Sequence, residues 1–190
     1  MLHRSTLMLR ADMNLDDLTE RAIAAARTSF SDLMEKKKGE AFYAFILYTD
    51  ADCYTVLPSA NSIEKYREKI AKRGVDDPKR MAGYKWSIGE WAYESWKAEA
   101  FDAICEDLSE ASQSACEAGT FPGFRQQVHS SMIEALASLD AEGFFGSMRS
   151  GIVIFVSSSD YDESIELENR SAQRLNSPEV YAEFLKRYVA

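Results

Sequence analysis

Residues 41–57 read AFYAFILYTDADCYTVL, and this stretch decides the fold. The run 41–48 is apolar on both alternating faces, which is typical of a strand covered on both sides of its sheet. The polar residues 49–52 then form a turn, and a second run, 53–57, continues until Pro58 ends it. The pattern predicts a β-hairpin whose first strand is central in the sheet.

A third strand and several amphipathic helices complete the predicted fold. Residues 151–157 are again apolar on both faces, so we expect a strand internal to the sheet. Residues 74–83 are expected to form a loop, and residues 161–175 are ambiguous. Apolar spacing with start and stop signals predicts helices near 14–36, 61–73, 99–117, 124–139 and 178–188, and a helix start at 87. Strands and helices do not alternate regularly, so the predicted class is α+β: a small, mainly antiparallel sheet (strands near 41–48, 53–57 and 151–157) covered by helices.

The composition is typical of one folded domain. The chain has 190 residues, 46% of them apolar, and no linker rich in Pro, Gly or Ser divides it. We therefore expect a single domain over 1–190, with 1–13 as a flexible N-terminal extension. Three scattered cysteines form no C-x-x-C pair, and no apolar run is long enough to span a bilayer. These features predict a cytoplasmic protein that does not enter the membrane.

The charge balance is acidic. The formal net charge is −9, which opposes binding to a phosphate backbone and makes a nucleic-acid partner unlikely. An acidic surface serves solubility in many proteins, and it also attracts basic partners. Charge alone does not decide between these two roles.

All three tryptophans lie within residues 84–96, YKWSIGEWAYESW. Large aromatic side chains are enriched both in cores and in binding interfaces, so this stretch is either a keystone of the fold or a binding surface. Ser87 and Glu90 have the spacing of a capping box, which places Trp86 just before a helix and Trp91 within its first turns. Trp86, Glu90 and Trp91 are therefore candidate partner-binding residues, with core packing as the alternative.

An acidic stripe follows on the next helix. Between Ala98 and Phe124 the sequence contains no Lys or Arg. Helical spacing puts four carboxylates on the face opposite the apolar residues, where they are either a solvated face or a surface for a basic partner. These candidate partner-binding residues are Glu99, Asp102, Glu106 and Glu110.

Motifs for common chemistries are not found. The sequence contains no G-x-S-x-G, no G-x-x-x-x-G-K-[ST], no G-x-G-x-x-G and no H-E-x-x-H, and it implies no cofactor. The only histidines are His3 and His129, and we expect His129 at the surface or at the core boundary of a helix. No residue is therefore assigned a catalytic role.

Aspartates follow two of the predicted strands. Asp50 and Asp52 come after the first strand, and Asp160 comes after the last one. Such carboxylates could converge on a hard cation such as magnesium. Aspartate is also a preferred turn residue, because its carboxylate accepts bonds from backbone amides further along the chain. Turn chemistry is the favoured interpretation, and a metal site is the alternative.

Four segments carry a resemblance to a known family. They are Phe42-Tyr43-Ala44-Phe45 with Tyr48-Thr49-Asp50 and Pro58; Trp86-Ser87-x-x-Glu90-Trp91-Ala92-Tyr93; Glu142-Gly143-Phe144-Phe145-Gly146; and Ile152-Val153-Ile154-Phe155-Val156-Ser157-x-Ser159-Asp160. Over residues 15–188 the chain resembles an uncharacterised bacterial domain-of-unknown-function family, sometimes grouped with candidate immunity proteins of polymorphic toxin systems. The resemblance implies a bacterial cytoplasmic protein and gives no catalytic residue.

Two functional hypotheses follow. The first is a non-catalytic protein-binding module, such as an immunity protein that neutralises a basic toxin, because the chain is acidic and lacks catalytic motifs. The second is a small-molecule or metal-dependent enzyme that uses Asp50, Asp52 or Asp160, with the tryptophans as a wall of the substrate site.

Overall fold

A computed structural model describes residues 15–188. The expected N-terminal extension, 1–13, lies outside the described residues. Short 3-10 helices span Ile88–Glu90, Ala98–Phe101 and Gly146–Gly151. The strands are β1 (Phe42–Thr49), β2 (Val56–Ser62), β3 (Tyr93–Glu94) and β4 (Val153–Ser158). The α-helices are α1 (Leu15–Lys36), α2 (Ile63–Arg73), α3 (Pro78–Trp86), α4 (Asp102–Glu117), α5 (Phe121–Ala141), α6 (Tyr161–Leu175) and α7 (Pro178–Leu185).

The four strands form one mixed sheet in the order β3-β2-β1-β4. β1 pairs antiparallel with β2 and parallel with β4, and β2 pairs antiparallel with the short β3. The α+β class and the central place of β1 are confirmed. The parallel pairing of β1 with β4 makes the sheet mixed, because the chain crosses over through several helices between these strands.

Both faces of the sheet are covered by helices. On β1, Phe45 and Leu47 pack into one apolar cluster with α1, α4 and α5, whereas Tyr43 and Ile46 pack into another with α2, α3 and α7. Successive residues of a strand point to opposite faces, apart from a register shift at Tyr43, so a strand covered on both faces is apolar throughout. This explains why the run 41–48 has no polar face.

The prediction that the last strand is internal to the sheet is wrong, because β4 lies at an edge. The backbone groups on its outer side form hydrogen bonds with one side chain of α6 and with one that directly follows α6, instead of with another strand. Asn176 accepts from the Ile154 N–H (3.0 Å) and donates to the Ile154 carbonyl (2.7 Å), and Ser171 bonds in the same two ways to Val156 (2.9 and 3.2 Å). A capped and buried edge requires the same apolar sequence as an internal strand.

The sequence pattern predicts the second strand too early in the chain. Residues 53–55 lie in the turn, and β2 continues through Pro58 to Ser62. Pro58 lies opposite Leu47 of β1, while β3 pairs with β2 only at Ser59 and Ala60. Proline is tolerated at a strand position that lacks a neighbour on one side, so it does not end this strand.

The segment around the tryptophans also differs from the prediction. The expected loop 74–83 contains the start of α3, because Asp77 caps the helix by accepting from the Arg80 N–H and Pro78 occupies the first turn. Ser87 ends α3 and makes no capping bond with its side chain in the short 3-10 helix that follows. The predicted capping box of Ser87 and Glu90 is therefore wrong, and Trp91 lies in extended backbone.

Several helix predictions are confirmed. α1 spans nearly the expected range, Ser62 caps α2 and Ser177 caps α7, and the ambiguous residues 161–175 form α6. His129 contradicts its prediction, since it is buried within α5 with 4% of its surface exposed. No helix within the described range 15–188 has both the length and the apolar character needed to cross a membrane.

Candidate functional site

The tryptophan candidates belong mainly to the core. Trp91 is 5% exposed, and its indole Nε1 donates to the Lys85 carbonyl at 2.9 Å. Its ring makes edge contacts with Tyr43 and Phe155. Trp86 is half-buried on the same face of the sheet and makes edge contacts with Tyr43 and Phe184. Trp91 is thus a core residue, whereas Trp86 also borders open space.

The acidic candidates lie elsewhere. The exposed carboxylates Glu99, Asp102, Glu106 and Glu110 run along the outer side of α4 and the turn before it. The inner side of α4 packs on the sheet face opposite Trp86 and Trp91, so the two candidate groups do not form one site. Glu90 forms an ion pair with Lys69 at 2.7 Å.

The strand-end aspartates are held by turn chemistry and an ion pair. The Asp50 carboxylate accepts from the backbone N–H groups of Asp52, Tyr54 and Thr55 at 2.8–3.1 Å, and from the Thr55 hydroxyl at 2.7 Å. Asp160 lies 3.4 Å from the guanidinium of Arg125. Among the described residues, no group of three or more His, Cys, Asp or Glu side chains is placed to hold a metal ion. These bonds favour the turn interpretation of Asp50.

A cavity of about 760 Å³ lies between α3 and α7, on the sheet face that carries Trp86 and Trp91. We call it the aromatic cavity. Its floor includes Tyr43 of β1 and Val153 of β4, and its walls come from Tyr66 of α2, from α3 and from α7. The side chains that define its walls are Tyr66, Met81, Ala82, Lys85, Trp86, Val180 and Phe184. The volume lies within the range of small-molecule sites.

Lys85 is the polar group that gives this cavity a chemical character. Its ammonium Nζ lies over the rings of Trp86 (5.1 Å) and Tyr43 (5.4 Å), and among residues 15–188 no carboxylate pairs with it. Burial lowers the pKa of Lys85, since an ammonium loses hydration there. The two aromatic faces offset part of this cost by cation–π attraction. The cavity therefore contains a partly desolvated cation without an anionic partner.

A buried ion pair borders the opposite wall. Arg187 is 6% exposed and lines the cavity, and its guanidinium donates to Glu168 at 2.9 Å and to Asn169 at 2.8 Å. Its Nε–H has no acceptor among the described residues. Burial raises the pKa of Glu168, while Ser157 and Arg187 oppose that change. Arg187 thus brings a second unsatisfied cationic donor to the lining.

Sequence reasoning missed Lys85 and Arg187. Lys85 lies next to Trp86 in the segment already singled out, so an unpaired cation within an aromatic cluster was an available signal. Arg187 lies near the end of the last predicted helix, 178–188, and nothing in the sequence places that helix against the tryptophans. The cavity exists because β1, α3 and α7 meet there, and such long-range contacts leave no local pattern.

The architecture defines the class of this protein: an α+β domain with a four-stranded mixed sheet, helices on both faces and an aromatic cavity between two of those helices. Residues 23–177 match the family described as Domain of unknown function (DUF4303), and the chain belongs to it. The predicted resemblance to a domain-of-unknown-function family is therefore confirmed. No curated protein and no solved structure matches the chain.

Proposed function

We propose that this protein binds a small organic anion with an apolar body in the aromatic cavity. The observation that carries the proposal is the Lys85 ammonium, which lies among aromatic rings without a carboxylate partner in the described chain. Of the predicted tryptophan candidates, Trp86 contributes a wall of this site. Trp91 holds the backbone of Lys85 by donating a hydrogen bond to its carbonyl.

The cavity lining favours an apolar ligand body. Tyr66, Met81, Val180 and Phe184 present carbon surface, so a ligand gains from transferring its own apolar surface out of water. Glu183, which also borders the cavity, is already paired with Lys186 at 2.6 Å. Glu179 borders it as well, is exposed in the first turn of α7 and is held there by hydrogen bonds from its own backbone and from Ser177. Lys85 is therefore the half-buried cation of the lining that no carboxylate among residues 15–188 pairs with.

The anionic group is expected at Lys85. A carboxylate that accepts from its ammonium forms a charge-assisted hydrogen bond in a partly dry setting, where such bonds are stronger than in water. Hydrogen bonds to charged groups contribute about 1.5–3 kcal/mol, which corresponds to roughly a tenfold to hundredfold gain in affinity over a neutral analogue.

A ligand panel tests this proposal. The probes are octanoate, octanol and octylamine, which share an apolar chain and differ in the charge of the head group, read by displacement of 1-anilinonaphthalene-8-sulfonate. We expect octanoate to bind most tightly and octylamine least. The variant Ala82→Phe fills the cavity and is expected to abolish binding of all probes. Equal affinity for the three probes, or wild-type binding by Ala82→Phe, would contradict the proposal.

A second candidate function is a protein-binding module, which includes the immunity-protein role. It is favoured by the exposed face of Glu99, Asp102 and Glu106, since the sequence from Ala98 to Phe124 supplies no cation to neutralise it. Such a face attracts a basic partner and speeds its association, with strong dependence on salt. The partner that fits this chemistry is a basic protein, such as a toxin.

Charge reversal tests this second candidate. If a basic toxin is encoded beside this gene, the triple variant Glu99→Lys, Asp102→Lys, Glu106→Lys should lose the complex and the protection of cells. A matched charge-reversal variant at Glu35, Glu68 and Asp76, which are exposed on α1, on α2 and in the loop after α2, should keep both. Retained binding by the α4 variant, or binding that does not weaken with salt, would rule out this surface.

A further inference from the structure

A second pocket, of about 330 Å³, lies between α5 and α6. We call it the His129 pocket. It shares no lining residue with the aromatic cavity. The aromatic cavity borders the start of β4, whereas the His129 pocket borders α6, which follows the end of β4. Its lining is mainly polar and includes Arg125, Gln126, His129, Glu163, Glu166 and Arg170. Neither proposed function uses this pocket.

His129 is the unexplained group in this pocket. The residue is 96% buried, yet its Nε2 atom has no hydrogen-bond partner among the described residues. Buried polar atoms of native proteins nearly always have a partner, so an orphan atom beside a pocket indicates a missing ligand group. Burial, together with the charges of Arg170 and Arg125, lowers the pKa of His129 to about 4, against a smaller opposing effect of Asp160. The imidazole is therefore neutral at pH 7, with one nitrogen able to donate and the other able to accept.

Some charged side chains around the pocket are ion-paired and others are not. Arg125 is already engaged, with Glu163 at 2.6 Å and Asp160 at 3.4 Å. Glu166 and Arg170 are exposed, lie one helical turn apart on α6, and form no ion pair with each other or with another described residue. One free negative and one free positive group thus border the same pocket as the orphan imidazole.

We propose that the His129 pocket binds a zwitterionic small molecule of the α-amino acid class. Its carboxylate accepts from Arg170 and from the His129 imidazole, and its ammonium donates to Glu166. A zwitterion fits better than a phosphate group, because Glu163, Glu166 and Asp160 would repel a dianion. The volume is sufficient for an amino acid with its side chain.

Exposed residues provide the test, so that folding of the variants is not at risk. The twenty amino acids are screened by thermal shift, and the best one is titrated calorimetrically beside its two halves: the carboxylic acid without the amino group and the amine without the carboxyl group. We expect the amino acid to bind and each half to bind at least tenfold more weakly. Arg170→Met and Glu166→Gln should each weaken binding at least tenfold, and Arg73→Met, exposed on α2, should not.

Imidazole nitrogen NMR gives a readout at the site itself. The chain contains only His3 and His129, and a His129→Gln variant assigns the two sets of signals. We expect the amino acid to shift the His129 signals and octanoate to leave them unchanged, so failure here is distinct from failure at the aromatic cavity. No bound amino acid, binding of inorganic phosphate instead, or unmoved His129 signals would overturn the proposal.

Discussion

His129 makes the stability of this protein depend on pH in a way that can be calculated. The folded pKa is about 4, below the ordinary value of 6.5, so the imidazole stays neutral in the native state while the unfolded chain takes up a proton. Above pH 6.5 neither state is protonated and the residue contributes nothing to this dependence. Stability is lost as the pH falls below 6.5, and the loss levels off only below the folded pKa of about 4.

The size of the effect follows from the pKa difference. At about 1.36 kcal/mol per pKa unit, the full loss is about 3 kcal/mol, of which about 2 kcal/mol is reached at about pH 5. This is a large share of the stability of an ordinary domain.

The assay is urea unfolding of the wild type and His129→Leu at several pH values. The difference between their free energies of unfolding isolates His129, because the carboxylates titrate in both proteins. We expect the wild type to lose about 2 kcal/mol more than the variant between about pH 7.5 and about pH 5. His129→Gln serves as a second variant should the leucine disturb folding. Parallel curves for wild type and variants would refute the assignment of a buried neutral imidazole.

Two further predictions concern side chains that hold the backbone. Asn176→Ala removes both hydrogen bonds to the Ile154 backbone at the edge of β4. We expect the free energy of unfolding in urea to fall by about 2 kcal/mol and light scattering to show self-association. A variant that stays stable and monomeric would contradict this role. Asp50→Ala removes an acceptor of four hydrogen bonds and should cost about 2–3 kcal/mol, while Asp52→Ala, at an exposed residue, should stay within about 0.5 kcal/mol of wild type. Equal effects of the two alanine variants would argue against the turn role of Asp50.

Much of the fold could be predicted from local patterns. The helices and the central strand have strong periodicity, and the caps at Ser62 and Ser177 are chemical signals that act within one turn. The errors come from features that depend on distant partners. β4 has the sequence of an internal strand because Asn176 and Ser171 complete its edge, and these caps lie well after the strand.

The candidate site was predicted only in part. Trp86 is a partner-binding candidate of the sequence and lines the aromatic cavity, whereas the sequence assigns its neighbours Val180 and Phe184 only to a distant helix. The orphan state of Lys85 and His129 is a property of three-dimensional surroundings, since it depends on which charges are absent nearby. The sequence shows where these two residues lie in the chain, but it does not show which charged or hydrogen-bonding groups surround them in the fold.

Lys85 is proposed to make the aromatic cavity a site for organic anions. The most direct measurement is a calorimetric titration of octanoate into the wild type, Lys85→Met and the control Lys72→Met, whose lysine is exposed on α2 away from the cavity. We expect Lys85→Met to bind roughly tenfold to a hundredfold more weakly and Lys72→Met to match the wild type. Equal affinity of all three proteins, or no binding by the wild type, would contradict the claim.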